Sequence, residues 1–338
     1  MLLKKNYRAW IGMVCMVILL SGCNGETTTV VKQPEVTYFR LAEIHPSDHP
    51  TTKADREFAR LVEERTEGRI IIKVYDSEQL GPEKAVLEQV QFGAIDFTRL
   101  SMGQVAEISP QLNVLQLPYI YRDSDHMWQV LNSDIGDFFL DSIEDKGLIG
   151  LAWYDAGARS FYNSVREIKT LSDLEGLKFR VMESQLMVEM ARALGASVIP
   201  MAYGEVYSSI QTGVIDGAEN NFPSYETSLH YEVAKYFTID EHVRVPEMLI
   251  ASNKILDRIS EEDLAIIMAC AEESEIYQRD KWRIEEKESE QKLRDLGIII
   301  TEIEDRQAFV EAVRPLYDRY ANDYLEMVER IQNMEGLE

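Results

Sequence analysis

The 338-residue chain carries 59 acidic and 35 basic residues, which gives a formal net charge of −24 at pH 7. So large an excess of negative charge argues against nucleic acid as a partner. With 45% hydrophobic residues the chain can bury a large core, and its length suits two lobes better than one.

The first 22 residues have the pattern of a secretory signal. Three basic residues among the first eight precede an apolar run over residues 10–20, which is too short to cross a bilayer of about 30 Å as a stable helix. The letters L-S-G-C follow and resemble a bacterial lipobox, so we expect Cys23 to be lipidated and to become the mature N-terminus. An uncleaved N-terminal anchor is the alternative. Residues 23–35 are polar and are expected to form a flexible tether.

Residues 36–155 alternate between strand and helix patterns, which is typical of an α/β lobe. Within them Glu43, His45, Asp48 and His49 lie close together. No CxxC, HExxH or facial-triad spacing accompanies these side chains, so we predict no metal site there. A helix is expected over residues 124–140.

The chain then crosses towards a second lobe through D-A-G-A-R-S-F-Y-N. Arg159 lies in a tight turn just before a strand, from which its guanidinium could reach a cleft. The alternative is an arginine that is solvated or caps backbone carbonyls.

Residues 171–223 contain the most informative pattern, namely strand, helix, strand, helix. Arg180 lies in the middle of the first strand. The stretch ends at D-G-A-E-N, where Asn220 offers both a hydrogen-bond donor and an acceptor.

Later residues predict a strand over 246–253 and one long helix over 260–296. Ser260 and Asp263 form the N-terminal cap of that helix, which has no internal glycine or proline. A last helix is expected from residue 305 to about residue 334, with a kink at Pro315.

The sequence contains no pattern of an enzyme or a cofactor site. There is no G-x-S-x-G elbow, no Walker loop and no dinucleotide glycine loop, and Cys270 lies in an apolar helical run. Binding is therefore the favoured class of function, and no cofactor is expected.

The combination G-L-K-x-R-V, L-G-A, P-M, G-E-V-Y and Q-T-G-V-I-D-G-x-E-N resembles the solute-binding proteins of tripartite ATP-independent periplasmic (TRAP) transporters. The resemblance runs from about Val36 onward. It implies an α/β fold with two lobes, a ligand cleft between them, and a long helix that spans both. The boundaries expected on this basis are 36–155 for lobe I, to which later chain returns, 156–250 for lobe II, and 251–338 for the spanning and C-terminal helices.

The resemblance also implies the site. The position of Arg180 is that of an arginine that forms a bidentate salt bridge with the ligand carboxylate, and Asn220 and a second arginine, Arg159, match further ligand-contacting positions. Glu83 matches an acidic residue that contacts polar groups of the ligand in some members, although a charge in the first turn of a helix explains it equally well. Tyr203 is expected to form an apolar wall of the cleft.

The segments H-P-S-D-H-P, G-A-R-S-F-Y-N and D-G-A-E-N-N-F-P-S-Y look most like the uronate-binding members of the family. A hexuronate has one carboxylate and several hydroxyls, for which Glu83, His49 and Asn220 are suitable partners. We therefore expect a monomeric, exported lipoprotein that binds glucuronate or galacturonate and delivers it to a membrane permease. The alternatives are a C4-dicarboxylate, sialic acid or keto-acid binding protein of the same family, a secreted enzyme that acts on sugar acids, and a sensory domain.

Overall fold

The computed structural model describes residues 36–334, so Cys23 and the expected signal and tether lie outside the described residues. No helix within residues 36–334 is both long enough and apolar enough to cross a membrane.

Strands and helices alternate along most of the chain. The strands are β1 Thr37–Ala42, β2 Ile70–Tyr75, β3 Phe97–Ser101, β4 Leu148–Tyr154, β5 Ala158–Asn163, β6 Lys178–Val181, β7 Ser197–Pro200, β8 Gly217–Asn220, β9 Tyr236–Arg244, β10 Glu247–Ser252 and β11 Ile299–Glu302. The helices are α1 Pro50–Arg65, α2 Glu83–Phe92, α3 Met102–Val105, α4 Ser124–Leu131, α5 Asp134–Asp141, α6 Gln185–Ala193, α7 Val206–Gln211, α8 Phe222–Thr227, α9 Glu261–Asp295, α10 Arg306–Val313, α11 Pro315–Tyr320 and α12 Leu325–Gln332.

The strands form two separate sheets, one in each lobe. The first has the order β2-β1-β3-β10-β4, and the second has the order β11-β9-β5-β8-β6-β7. In the first sheet β1 is parallel to β2 and β3, whereas β10 is antiparallel to its neighbours β3 and β4. The predicted two-lobed α/β fold is confirmed.

Two strand-to-strand connections carry the chain from one sheet to the other. The first, between β4 and β5, is held by Gln278 of α9, whose side-chain oxygen accepts from the Asp155 amide at 2.7 Å and whose Nε2 donates to the Asp155 carbonyl at 2.8 Å. The second, between β9 and β10, returns the chain to the first sheet. This return places Glu247 in the first sheet, next to β3.

Helix α9 contacts both lobes, as the sequence predicted. Ser260 caps its N-terminus by accepting from the Asp263 amide, and the first turn is acidic while the last is basic, which suits the helix dipole. Near its start, Ile267 and Cys270 pack in the core of the first lobe. Near its end, Leu293 packs with Tyr162 and Phe237 in the second.

Two predicted helices are divided in the structure. The helix expected over residues 124–140 is α4 followed by α5, because Ser133 caps a new N-terminus by accepting from the Ile135 amide. The helix expected over residues 305–334 is α10, α11 and α12. Its first break lies at Pro315, which has no amide hydrogen to donate to the preceding turn.

Candidate ligand-binding site

A narrow cavity of about 20 Å³ lies between the two lobes, where the carboxyl ends of β1, β3, β6 and β8 meet. Open α/β sheets usually bind ligands at this end of their strands. The first lobe contributes Ile44, His45, Glu83, Arg99, Ser101 and Glu247, and the second contributes Arg159, Arg180, Met182, Tyr203 and Asn220. This volume is far below the roughly 300 Å³ of typical small-molecule sites, so a ligand needs the two lobes to separate before it can enter.

Arg180 is a buried cation that no carboxylate neutralises. Its Nε donates to the Met201 carbonyl at 2.9 Å, and its two terminal nitrogens have no hydrogen-bond partner among residues 36–334. Burial lowers the pKa of Arg180 from its usual value, because the charged form loses hydration. A buried guanidinium without a carboxylate partner favours binding of an anion, and its two coplanar terminal N–H donors match the two oxygens of a carboxylate.

Arg159 also lines the cavity, but Glu219 already neutralises it. Arg159 Nε lies 2.5 Å from one Glu219 oxygen and Nη2 lies 2.9 Å from the other. The same Glu219 carboxylate lies 3.5 Å from His242, whose other ring nitrogen lies 2.9 Å from Asp240. Although burial opposes it, Asp240 and Glu219 raise the pKa of His242 to about 9, so this group of four residues has no net charge near pH 7.

Asn220 and Tyr203 lie beside the two arginines. Asn220 Oδ1 accepts from Arg159 at 2.9 Å and from the next backbone amide, while its Nδ2 donates to no other residue in the described part of the chain. The Tyr203 ring centroid lies 5.9 Å from the Arg180 guanidinium carbon, and the Tyr203 hydroxyl donates to the Ser224 carbonyl. Asn220 can therefore donate to a ligand, and Tyr203 provides an apolar wall.

Glu83 lies at the first position of α2, on the opposite wall. One of its oxygens accepts from the Ser101 amide at 3.0 Å and from Arg99 at 2.9 Å, and the other accepts from the Ser101 hydroxyl at 2.9 Å. These bonds hold the carboxylate rigidly at the cavity. Glu83 occupies the first turn of a helix and also lines the cavity, so both of its predicted roles remain predictions.

His49 does not line the cavity. Its Nδ1 accepts from the Thr51 amide at the start of α1, and its Nε2 lies 3.1 Å from the Ser224 hydroxyl. The ring is stacked on that of His45, with 3.8 Å between centroids, and His45 takes the place at the cavity wall. The sequence-based choice of His49 thus identified a neighbour of the wall residue, because both histidines lie in one short segment.

Hydrogen bonds join the lobes around this cavity. The Gly204 amide donates to Glu78 at 2.9 Å, and the Gln104 side chain donates to the Glu183 carbonyl at 3.2 Å. A second, very small cavity of about 10 Å³ lies between these contacts and shares Glu83, Arg180, Met182 and Tyr203 with the first. The cleft is thus bridged on its rim by polar contacts that separation of the lobes would break.

Sequence reasoning missed Arg99 and Glu247. Arg99 offered the same signal as Arg180, because it is an arginine in the middle of an apolar strand. Glu247 offered no such signal, since it is the first residue of an otherwise ordinary apolar strand and reaches the cavity only because β10 returns to the first sheet.

Comparison with known proteins gives consistent matches. Residues 41–323 match the DctP family, described as bacterial extracellular solute-binding protein, family 7. A solute-binding protein of Chromohalobacter salexigens is 43% identical over 284 residues, which is 84% of this chain and 84% of that protein.

Solved structures agree with this match. A TRAP periplasmic solute-binding protein from Chromohalobacter salexigens with bound D-glucuronate is 43% identical, has a TM-score of 0.84, and matches over 87% of this chain and 99% of its own. Another from Xanthobacter autotrophicus with bound β-D-galacturonate is 40% identical, with a TM-score of 0.85 over 88% of this chain and 100% of its own.

Proposed function

The chain belongs to the DctP family of bacterial extracellular solute-binding proteins and is a TRAP solute-binding protein, as its motifs predicted. On this premise we propose that its ligand is a hexuronate such as glucuronate or galacturonate. Members of this family act in transport outside the cytoplasm, with a membrane permease as their partner. The observation that carries the proposal is Arg180, a buried cation that faces the cavity and has no carboxylate partner among residues 36–334.

The ligand carboxylate is proposed to take both terminal nitrogens of Arg180, with Asn220 Nδ2 as a further donor. Each hydrogen bond to a charged group contributes about 1.5–3 kcal/mol. Arg159 keeps its bond to Glu219 and supports this end of the cavity without a free charge of its own.

The opposite wall favours hydroxyls over a second carboxylate. Glu83 lines the cavity there, and a dicarboxylate would bring another negative charge against its carboxylate. Sugar hydroxyls, in contrast, donate to Glu83. The hexuronates bound by the Chromohalobacter and Xanthobacter proteins have this combination of one carboxylate and several hydroxyls.

Calorimetric titration at pH 7 tests the ligand class. We expect glucuronate or galacturonate to bind at least tenfold more tightly than succinate or malate, a difference of about 1.4 kcal/mol. A tighter complex with succinate or malate would contradict the proposal. Recovery of chemically unchanged uronate from the complex separates binding from the alternative of a sugar-acid enzyme.

We further propose that the mature protein is a lipoprotein anchored through Cys23. The support is the charged start, the short apolar run and the L-S-G-C sequence. A lipid anchor would keep the binding protein close to its permease, which raises the effective concentration of one for the other.

A further inference from the structure

The first-lobe wall of the cavity is built around one guanidinium and three carboxyl groups. Arg99 is fully buried and makes two bonds to Glu43, one to Glu83 at 2.9 Å and one to Glu247 at 3.1 Å. A single positive charge cannot balance three carboxylates in a buried site. Such a cluster is stable when at least one carboxyl group keeps its proton.

The hydrogen bonds indicate which carboxyl group that is. Both oxygens of Glu43 accept from Arg99, and both oxygens of Glu83 accept from Arg99 or Ser101. Glu247 differs, because its Oε1 accepts from Arg99 while its Oε2 is buried and has no partner among residues 36–334. A buried carboxylate oxygen without a donor is costly, whereas a protonated Oε2 is a donor beside the cavity.

The environment of Glu247 also favours its protonated form. The groups that face it are Arg99 from β3, Glu83 from α2, Glu43 after β1, Asp55 from α1 and Arg159 from β5, with Tyr154 of β4 as its cross-strand neighbour. Burial, assisted by Glu43 and Glu83 and opposed by the two arginines, raises the pKa of Glu247 to about 8. Burial also raises the pKa of Asp55, so that carboxyl group adds no charge near pH 7.

We infer that Glu247 is a specificity-determining residue that acts as a neutral carboxylic acid and donates a hydrogen bond from Oε2 to a hydroxyl or ring oxygen of the bound sugar. Arg180 holds the carboxylate from the second lobe, and Glu247 holds the polar part of the ligand from the first. Ionisation of Glu247 removes the donor and adds a negative charge beside an anionic ligand. This inference rests on the proposed function, since it assigns a residue to the uronate hydroxyls.

Titration of the wild-type protein with glucuronate between pH 6.5 and 9.5 gives the first test. We expect the affinity to fall by up to about tenfold per pH unit above pH 8, because binding then requires a proton on Glu247. Calorimetry at pH 8.5 in two buffers with different ionisation enthalpies should show proton uptake on binding. Uronate binding without proton uptake would overturn the inference and leave the proposed function intact.

The Glu247→Gln variant provides the second test. A glutamine keeps both the acceptor for Arg99 and a donor for the ligand, but it cannot ionise. We expect its affinity at pH 6.5 to stay within about threefold of wild type, its affinity to change less with pH, and its proton uptake at pH 8.5 to disappear. A variant with the wild-type pH dependence and proton uptake would refute the role of Glu247.

Glu83→Gln is the matched control. It removes a charged acceptor from the same cluster but keeps Glu247, so we expect weaker glucuronate binding at every pH, with a pH dependence that persists and shifts to lower pH because Glu83 no longer helps to raise the pKa of Glu247. Thermal unfolding of both variants checks that each is folded. Absence of any uronate binding by the wild-type protein at pH 6.5 would overturn the proposed function and this inference together.

Discussion

Arg180 combines two properties that rarely occur together, namely full burial and the lack of a carboxylate partner among the residues described. No carboxylate within residues 36–334 compensates this charge, and a buried cation without a partner is costly. Glu219, in contrast, permanently neutralises Arg159. The two arginines that the family resemblance placed near the ligand thus differ in their pairing, and we propose different roles for them, one that binds the ligand and one that is structural.

Replacement of Arg180 by lysine tests the first of these roles. Lysine keeps the charge but loses the planar pair of donors that matches a carboxylate. We expect Arg180→Lys to weaken glucuronate binding about 100-fold, or about 2.7 kcal/mol, without loss of folding. Calorimetry measures the affinity, and the exposed Arg192→Lys serves as the control. Near wild-type affinity in a folded Arg180→Lys protein would rule out this carboxylate clamp.

His242 belongs to the same charged group as Arg159 and Glu219, so the pH dependence of stability tests the structural role of this group. Its folded pKa is raised to about 9 from a usual value near 6.5, so its stabilising effect is complete below pH 6.5 and is lost as the pH rises through 9. We expect His242→Gln to lower the free energy of unfolding by about 3 kcal/mol at pH 6, with a difference from wild type that shrinks towards pH 9.5.

Thermal or denaturant unfolding from pH 6 to 9.5 measures this difference. His126→Gln is the matched control, because burial lowers the pKa of His126, so this side chain is neutral in both the folded and the unfolded protein at pH values well above the usual pKa of about 6.5. Its effect on stability should be constant over that range. A constant effect of His242→Gln as well would mean that His242 is not protonated in the folded protein.

At the scale of elements, α9 and the rim contacts both join the two lobes, but only the rim contacts are expected to change when the cleft opens or closes. Helix α9 contributes to both hydrophobic cores and holds Asp155 at the first crossing, so it forms a fixed back to the cleft. The contacts between Glu78 and Gly204 and between Gln104 and Glu183 lie at the opening side and join loops from different lobes. Hinge closure around a ligand is expected to make and break these loop contacts.

Removal of the Glu78 carboxylate should therefore speed ligand release. We expect Glu78→Ala to raise the glucuronate dissociation rate about tenfold, because one charge-assisted bond across the cleft is lost. Stopped-flow measurement of dissociation is the assay. Glu88→Ala, an exposed residue of α2, changes the net charge equally and should leave the rate unaltered. Equal rates for both variants would show that the Glu78 contact does not hold the lobes together.

At the scale of the whole molecule, the chain is strongly acidic although its proposed ligand is an anion. The net charge of −24 repels organic acids at long range, so affinity must come from the short-range contacts of a closed, water-excluding cavity. A buried guanidinium such as that of Arg180 is suited to supply such a contact. Attraction between charges is much stronger there than on the hydrated surface.

The proposed membrane attachment through Cys23 also concerns the whole molecule, because an anchor would decide where the cleft is displayed. We expect Cys23→Ser to prevent lipidation and to move the protein from the membrane fraction to the soluble fraction, since residues 36–334 contain no membrane-spanning helix. Fractionation of cells that lack the permease measures this change. Retention of Cys23→Ser in the membrane fraction would support the uncleaved N-terminal anchor instead.

The sequence alone determined the elements and the family. Helix α9 could be predicted because a cap, a long run without glycine or proline and opposite charges at its two ends are local properties of the sequence. Arg180 was readable because an arginine inside an apolar strand needs a reason to be buried. Asn220 and Tyr203 followed from the family resemblance, and the structure brings both to the cavity.

Only the tertiary structure decided how charges are paired around the cavity. Arg159 and Glu219 are 60 residues apart, and Arg99 and Glu247 are 148 residues apart. No local pattern encodes these pairs, because they arise when strands from distant parts of the chain become neighbours in a sheet. Tertiary packing also explains why His45, and not the predicted His49, lines the cavity, since the direction of a side chain in a turn depends on what packs against it. Pairing of charges is decided by distance in space, and in an acidic chain the sequence offers many carboxylates for each arginine.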